Sequence, residues 1–430
     1  MTLVNVISAL GNNNSIYPLL VRDCGIENVA KVTMTYNQNV KDSKFIAKQA
    51  TRERIIDEYG TSAVWLGGIP ALSFISDKVI QKSGLSSKVN IKLFNESSVQ
   101  GISKNIEKFK NIAANEVKDL INIQNNKKRF QMAQVNKFLA TTIIPIGLMG
   151  YVLPKMNFKY TAKKIEQAKA DKNFDKSFGN CPKETNLLKQ ILQNKNKSEK
   201  RLSPQFGSSL SFKGLENLAN LSTLQKMMIL DGGLTVGRVG TARNRDEKAE
   251  MAFKMAGMCY LNYVAPKSID NALNNVTKKV FGINTALDPK FLNDKNFLNE
   301  IKTSKLALPQ ETTEKALIDF VDSNKNVSFT KFAEKSGVVS FLKSGVRDPR
   351  EFVDAEKLKE LKLALEDFAK DAVKSGNVEK FAKRALYAKS FNILANVGLS
   401  SALLAVALPK LQFVFRKVLT GSNLEPGIKV

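Results

Sequence analysis

Residues 391–409, Phe-Asn-Ile-Leu-Ala-Asn-Val-Gly-Leu-Ser-Ser-Ala-Leu-Leu-Ala-Val-Ala-Leu-Pro, carry no charged side chain and end in Leu408-Pro409-Lys410. An echo occupies residues 138–154 and ends in Leu153-Pro154-Lys155. At a constant offset of 255 (408 minus 153) the two runs also share Leu139 with Leu394, Ala140 with Ala395, Leu148 with Leu403, and Phe158 with Phe413. As helix, the seventeen residues of the earlier run reach roughly 25 Å, at the short end of what spans a hydrocarbon core of about 30 Å. Each run therefore reads two ways, as a membrane-inserted helix or as a buried segment of a soluble bundle. Small residues in the later run, Ala395, Gly398, Ser400, Ser401, Ala402 and Ala405, suit close helix approach in lipid.

What flanks the runs favours lipid. Residues 102–123 place Ile102, Ile106, Phe109, Ile112, Val117, Leu120 and Ile121 at helical spacing, with Lys104, Lys108, Lys110 and Lys118 on the other face. That is a basic amphipathic helix, and it continues through Lys127-Lys128-Arg129 into the first run. Lysines at headgroup level would anchor the runs by snorkelling, helped by Tyr151 and Tyr160. The expected anchors are Lys137, Lys155, Lys159, Lys389, Lys410, Arg416 and Lys417. Because basic residues lie on both sides of both runs, the positive-inside bias does not orient them.

The whole chain points to a polyanionic partner. Its 430 residues hold 66 Lys and Arg against 40 Asp and Glu, a formal charge of +26, which suits anionic headgroups or nucleic acid. The excess is uneven: residues 136–205 hold 14 bases and 5 acids, whereas residues 291–345 hold 8 and 7. Histidine is absent, which removes Ser-His-Asp and Cys-His catalysis and His-ligated zinc. Cys24, Cys181 and Cys259 are too far apart for a C-x-x-C site and read as reduced thiols, placing the protein against a reducing compartment. No cofactor, metal or catalytic residue is nominated. The N-terminus has no basic n-region, so insertion would be directed by an internal segment.

The remaining stretches complete a mainly α-helical expectation: long basic amphipathic helices leading into apolar, membrane-insertable helices, plus a small soluble helical module. Residues 41–59 form an amphipathic helix that should stop at Gly60. Residues 62–75, with Trp65, Gly67-Gly68 and Pro70, read as a membrane-dipping hairpin or a core segment, being about 14 residues and short for a bilayer. Residues 168–213 are rich in Lys, Asn, Ser and Gln and read as a flexible linker, interrupted by a short helix at 187–193. Residues 234–245 interleave Gly237 and Gly240 with Arg238, Arg243 and Arg245 as a Gly/Arg-rich loop, either an anion-binding nest or a turn leading to an N-cap at Asn244. Residues 251–267 repeat the ending as Tyr263-Val264-x-Pro266-Lys267, but Lys254 makes that run interfacial or core. Helices are expected to start at Asp288-Pro289, Leu308-Pro309 and Asp348-Pro349-Arg350-Glu351, and to stop at Gly337 and at Gly376-Asn377.

The domain reading is 1–167, a linker at 168–213, 214–285, a soluble module at 286–346, and 347–430. The chain resembles no family by its motifs. Its leading functional reading is a membrane-associated protein of structural or interaction type, with an anionic lipid membrane as partner and a helix partner or self-association beside it. A soluble nucleic-acid binder rests on net charge alone, since no zinc finger, RNP-like signature or basic zipper is present. An enzyme clamping a phosphorylated or lipid substrate would need Arg238, Arg243 and Arg245 free to bind it.

Overall fold

The computed structural model describes residues 3–11, 19–41, 43–170, 221–283 and 286–426. It is 78% helical with no strand among those residues, so the mainly α-helical expectation stands. Beyond its first three residues, the expected linker lies outside the described residues, as do the 187–193 helix and Cys181. The chain gathers into two compact units, each assembled from separated segments. Local composition cannot report that, because the contacts that define the units join residues hundreds of positions apart.

Unit 1 comprises Met1–Ser15, Phe74–Lys137 and Ser268–Asn396. Its main apolar cluster runs from Ile283 to Ala385, centred on Phe291, Phe297, Phe329, Phe332, Leu358, Leu365 and Phe368. Phe291 and Phe332 stack with ring centroids 4.0 Å apart, and Phe297 meets Phe332 edge-on at 5.1 Å, the arrangements the ring quadrupole favours. The expected soluble module therefore shares its core with the helix Ala355–Lys374. Residues 74–137 are tied on by backbone bonds that side chains complete: the Gln100 side chain donates to Val353 O and accepts from Val353 N, each at 2.7 Å. Asn105 donates to Pro349 O at 2.8 Å.

The helix boundaries here test the start and stop signals one by one. Asp288 caps Pro289–Leu292 as expected, and Gly337 and Gly376 take positive φ (69° and 74°) just after helices end, where a side chain would clash. Pro309 opens no helix; the next begins at Glu314 with Thr313 as N-cap. Likewise the helix expected at Asp348 begins at Ala355, capped by Asp354, because the Asp348 carboxylate is spent on the Arg350 backbone and guanidinium. The amphipathic pattern at 102–123 is two helices, Ile102–Phe109 and Ala114–Asn125. The chain turns between them and buries Phe109, Ala113 and Val117 in one cluster.

Unit 2 comprises Ile16–Ser73, Phe138–Lys267 and Val397–Val430. Its apolar clusters are small: Met149, Leu230, Leu234 and Met255 form one, and Ile46, Ala50 and Leu424 another. Helices Thr223–Thr241 and Arg245–Tyr263 fold back on each other, the first opened by a Ser222/Gln225 capping box and the second by Asn244. The Asn244 N-cap is as expected. The Gly/Arg loop is not, since helix continues through Gly237 and Gly240 to Thr241.

Candidate functional site

Among the described residues, three helices are long and apolar enough to cross a membrane: Lys44–Lys82, Lys127–Ala168 and Val378–Thr420, of 39, 42 and 43 residues. Two of them contain the apolar runs on which the sequence reading rests. The third was read as a hairpin or core segment, and the helix instead passes straight through Gly60 and Pro70. Only 6% of the most apolar window of Lys44–Lys82 is buried by the protein, against 33% and 39% for the others. Phe74, Ile75, Ile143, Tyr151, Phe391 and Leu394 are all at least half exposed.

The same local device recurs in each. A five-residue π-helical turn occupies Val64–Gly68, Leu148–Val152 and Leu403–Ala407. In each, the residue that follows donates its N–H five positions back: Ile69 to Val64 O, Leu153 to Leu148 O, Leu408 to Leu403 O. The next residue is Pro70, Pro154 or Pro409, and a phenylalanine stands four further on, at Phe74, Phe158 and Phe413. Proline has no N–H to donate and its ring collides with the carbonyl four residues earlier. Widening one turn to π geometry gives that carbonyl room without ending the helix. The sequence carries this as a proline within or at the end of an apolar stretch, with a phenylalanine four residues later. It escaped notice at Pro70 because Lys155 and Lys410 have no counterpart there, where Ala71 stands. Pro266, the expected third echo, begins a separate helix, Ala265–Phe281.

Where these helices leave their apolar stretches, unit 2 builds an interior of ion pairs. Arg416 is fully buried, its guanidinium on both oxygens of Glu250 (2.9 and 3.0 Å from Nε, 2.6 Å from Nη2), with Glu425 at 3.3 Å. Glu425 also reaches Arg54 at 3.8 Å, and Arg54 holds Glu58 at 3.2 Å. Lys254, also buried, bonds Glu58 at 3.1 Å and lies 3.6 Å from Asp57. Arg238 meets Asp57 at 2.6 Å and donates to Thr61 at 2.7 Å. Arg243 forks between Glu53 (3.0 Å) and Glu247 (2.7 Å). Lys31, at the far side, pairs with Glu27 and Glu58. A pocket of about 60 Å³ lies among Glu53, Asp57, Arg243, Glu250, Lys254 and Glu425, with Phe158 and Met251 also in its lining, room for a few waters.

Titration follows this packing. Burial and the neighbouring Arg54 push the Lys254 ammonium down, outweighing Glu58 and Asp57. Burial alone would raise Glu425, but Arg416, Arg54, Arg243 and Lys254 outweigh it and hold the carboxyl below its usual value. For Lys31 burial acts downward, and Glu58 and Glu27 reverse it, leaving the ammonium above its ordinary value. Glu27 is raised, chiefly by burial.

The residues singled out from sequence are placed as follows. Arg238 is paired with Asp57, and Arg243 with Glu53 and Glu247; Arg245 is exposed. Gly237 serves helix packing: a Cβ there would stand 2.9 Å from Gly150 Cα, while Gly233 abuts Ile146 and Gly240 faces open space. Among the expected anchors, Lys155, Lys159, Lys410 and Lys417 are exposed, Lys389 is half-buried, and Lys137 is bound to Asp77 at 2.6 Å. Arg416 is corrected from anchor to core residue, since its guanidinium is enclosed with Glu250. Sequence reasoning missed Glu58, Glu250, Lys254 and Glu425 because their partners are remote in the chain. Among the described residues, no group of three or more Cys, Asp or Glu side chains is arranged to hold a metal ion.

Compared with family models, with curated proteins and with solved structures, the chain matches none.

Proposed function

We propose that this chain is a membrane-inserted α-helical protein of structural or interaction type, seated in a bilayer by Lys44–Lys82, Lys127–Ala168 and Val378–Thr420. The observation that supports this most is the uncovered apolar surface of those helices. A fold that fully buries only 6% of the most apolar window of its first long helix leaves apolar surface for another apolar phase to cover, and contiguous apolar patches of that kind mark membrane or partner surfaces. Prolines inside such helices fit the same setting, where π turns and neighbouring groups re-satisfy the backbone. In this reading Lys155, Lys159, Lys410 and Lys417 reach headgroup phosphates, each contributing about 1 kcal/mol near an anionic surface. Fractionation of expressing cells, followed by carbonate and high-salt washes of the membrane pellet, tests it. Retention through both washes is expected; recovery in the soluble fraction would overturn it.

A further inference from the structure

We infer that Arg54 and Arg416 form an oxyanion site in unit 2 which the chain's own Glu425 occupies, and that residues 421–426 are a strap that a phosphate group displaces. The inference is separate from the membrane reading, since it concerns the ionic interior alone.

The strap begins where helix Leu408–Thr420 ends. Gly421 takes φ 69° there, the left-handed angle that turns a chain off its helix axis. Asn423 then accepts from Gln38 at 2.9 Å and, through its carbonyl, from Arg416 at 3.1 Å. The Glu425 N–H donates to Asn39 at 3.3 Å, and Asn244 donates to the Pro426 carbonyl at 2.6 Å. Leu424 is buried against Ile46 and Ala50. Each of these hydrogen bonds uses a side chain as one partner, so the strap is held piecewise.

Glu425 fits its place loosely. Its Oε1 stands 3.3 Å from Arg416 Nη2 and 3.8 Å from Arg54 Nη2, the second beyond hydrogen-bond distance, and its buried Oε2 has no partner. Glu250, by contrast, holds the same Arg416 at 2.6 to 3.0 Å through both oxygens. Glu425 is also the surplus carboxylate. In the surrounding ion pairs Glu250 balances Arg416, Glu53 and Glu247 share Arg243, and Asp57 and Glu58 share Arg54, Arg238 and Lys254, five carboxylates against five cations. Departure of Glu425 therefore leaves Arg54 on Glu58 and Arg416 on Glu250, with no charge stranded. What it vacates is a gap between two guanidinium edges that one carboxylate oxygen does not close. A phosphate group presents three acceptor oxygens, which guanidinium forks match two at a time. The pocket of about 60 Å³ that Glu425 helps to line gives it room.

The test presents the full chain with inorganic phosphate, with chloride at the same ionic strength, and with phosphatidylcholine vesicles with or without phosphatidic acid. Hydrogen exchange follows residues 421–425, and calorimetry follows binding. A phosphate probe should bind saturably and speed exchange in the strap tenfold or more, while chloride and plain phosphatidylcholine leave it unchanged. Release by inorganic phosphate assigns a soluble ligand; release by phosphatidic acid vesicles alone assigns a lipid headgroup. A strap that is closed most of the time lowers apparent affinity by the fraction open. Glu425→Gln and Leu424→Ala each loosen the strap and should tighten binding threefold or more, whereas damage to the fold would weaken it. Arg54→Lys keeps the charge but loses the fork, and should weaken binding tenfold. A strap unchanged by both phosphate probes, an equal response to chloride, or binding that neither strap variant tightens would overturn the proposal.

Discussion

Unit 1 and unit 2 are held together by opposite means. Unit 1 packs five buried phenylalanines, Phe291, Phe297, Phe329, Phe332 and Phe368, into its main apolar cluster; its ion pairs are mostly peripheral, such as Lys108 with Asp319 and Lys335 with Asp294. Among the described residues of unit 2 the apolar clusters are small, and the largest fully buried side chain is Arg416. Apolar burial is non-directional and tolerant of rearrangement. Buried ion pairs add little net stability, yet removing one partner is costly because the survivor stays desolvated. The two units should therefore fail differently. Unit 1 should lose stability in proportion to volume removed, unit 2 according to which charge is left alone.

The largest effects break the comparison at its centre. Glu250→Ala leaves Arg416 enclosed with half its partners and should cost about 3–5 kcal/mol. Phe297→Ala should cost a similar 3–5 kcal/mol through its cavity. Hydrogen exchange should show each loss of protection confined to its own unit. The pair then separates on rescue: Glu250→Leu with Arg416→Met should return unit 2 to within about 1 kcal/mol of the parent or above it, whereas no charge swap restores unit 1.

Acid should find unit 2 first. The Glu425 carboxyl is depressed in the fold, so the unfolded chain binds its proton more readily, and the stabilisation from Glu425 is complete above the ordinary carboxylate value of about 4.3. It is lost as pH falls from there through the folded value. Glu425→Gln should lower the melting temperature at pH 7 and make much less difference at pH 3. Equal effects at both pH values would show that the carboxylate charge is not what holds the segment.

Two glycines in one helix sharpen the comparison further. Gly237→Ala drives a methyl to 2.9 Å from the Gly150 backbone and should cost about 1–3 kcal/mol by overpacking. Gly232→Ala, in the same helix with nothing within 4 Å, should gain up to about 1 kcal/mol from helix propensity. Similar in size, Gly376→Ala at φ 74° should cost about 1 kcal/mol in unit 1. Chemical denaturation of the three variants orders them.

By itself the sequence determined what neighbours along the chain can decide. Apolar stretches without charge at 138–154 and 391–409 can only be helix in lipid or in a core. Asp288-Pro289 starts a helix through its own side chain and ring, and Gly376 ends one because of the backbone angle it alone tolerates. Tertiary structure decided the rest. Arg416 looked like an anchor because a flanking arginine and a core arginine are identical until Glu250, 166 residues away, is brought beside one of them. Gly237 looked like a loop residue because only the approach of Gly150 reveals a helix contact. Helix periodicity is a property of residues three and four apart, whereas desolvated charges settle where a remote partner meets them, and nothing local in the chain encodes that distance.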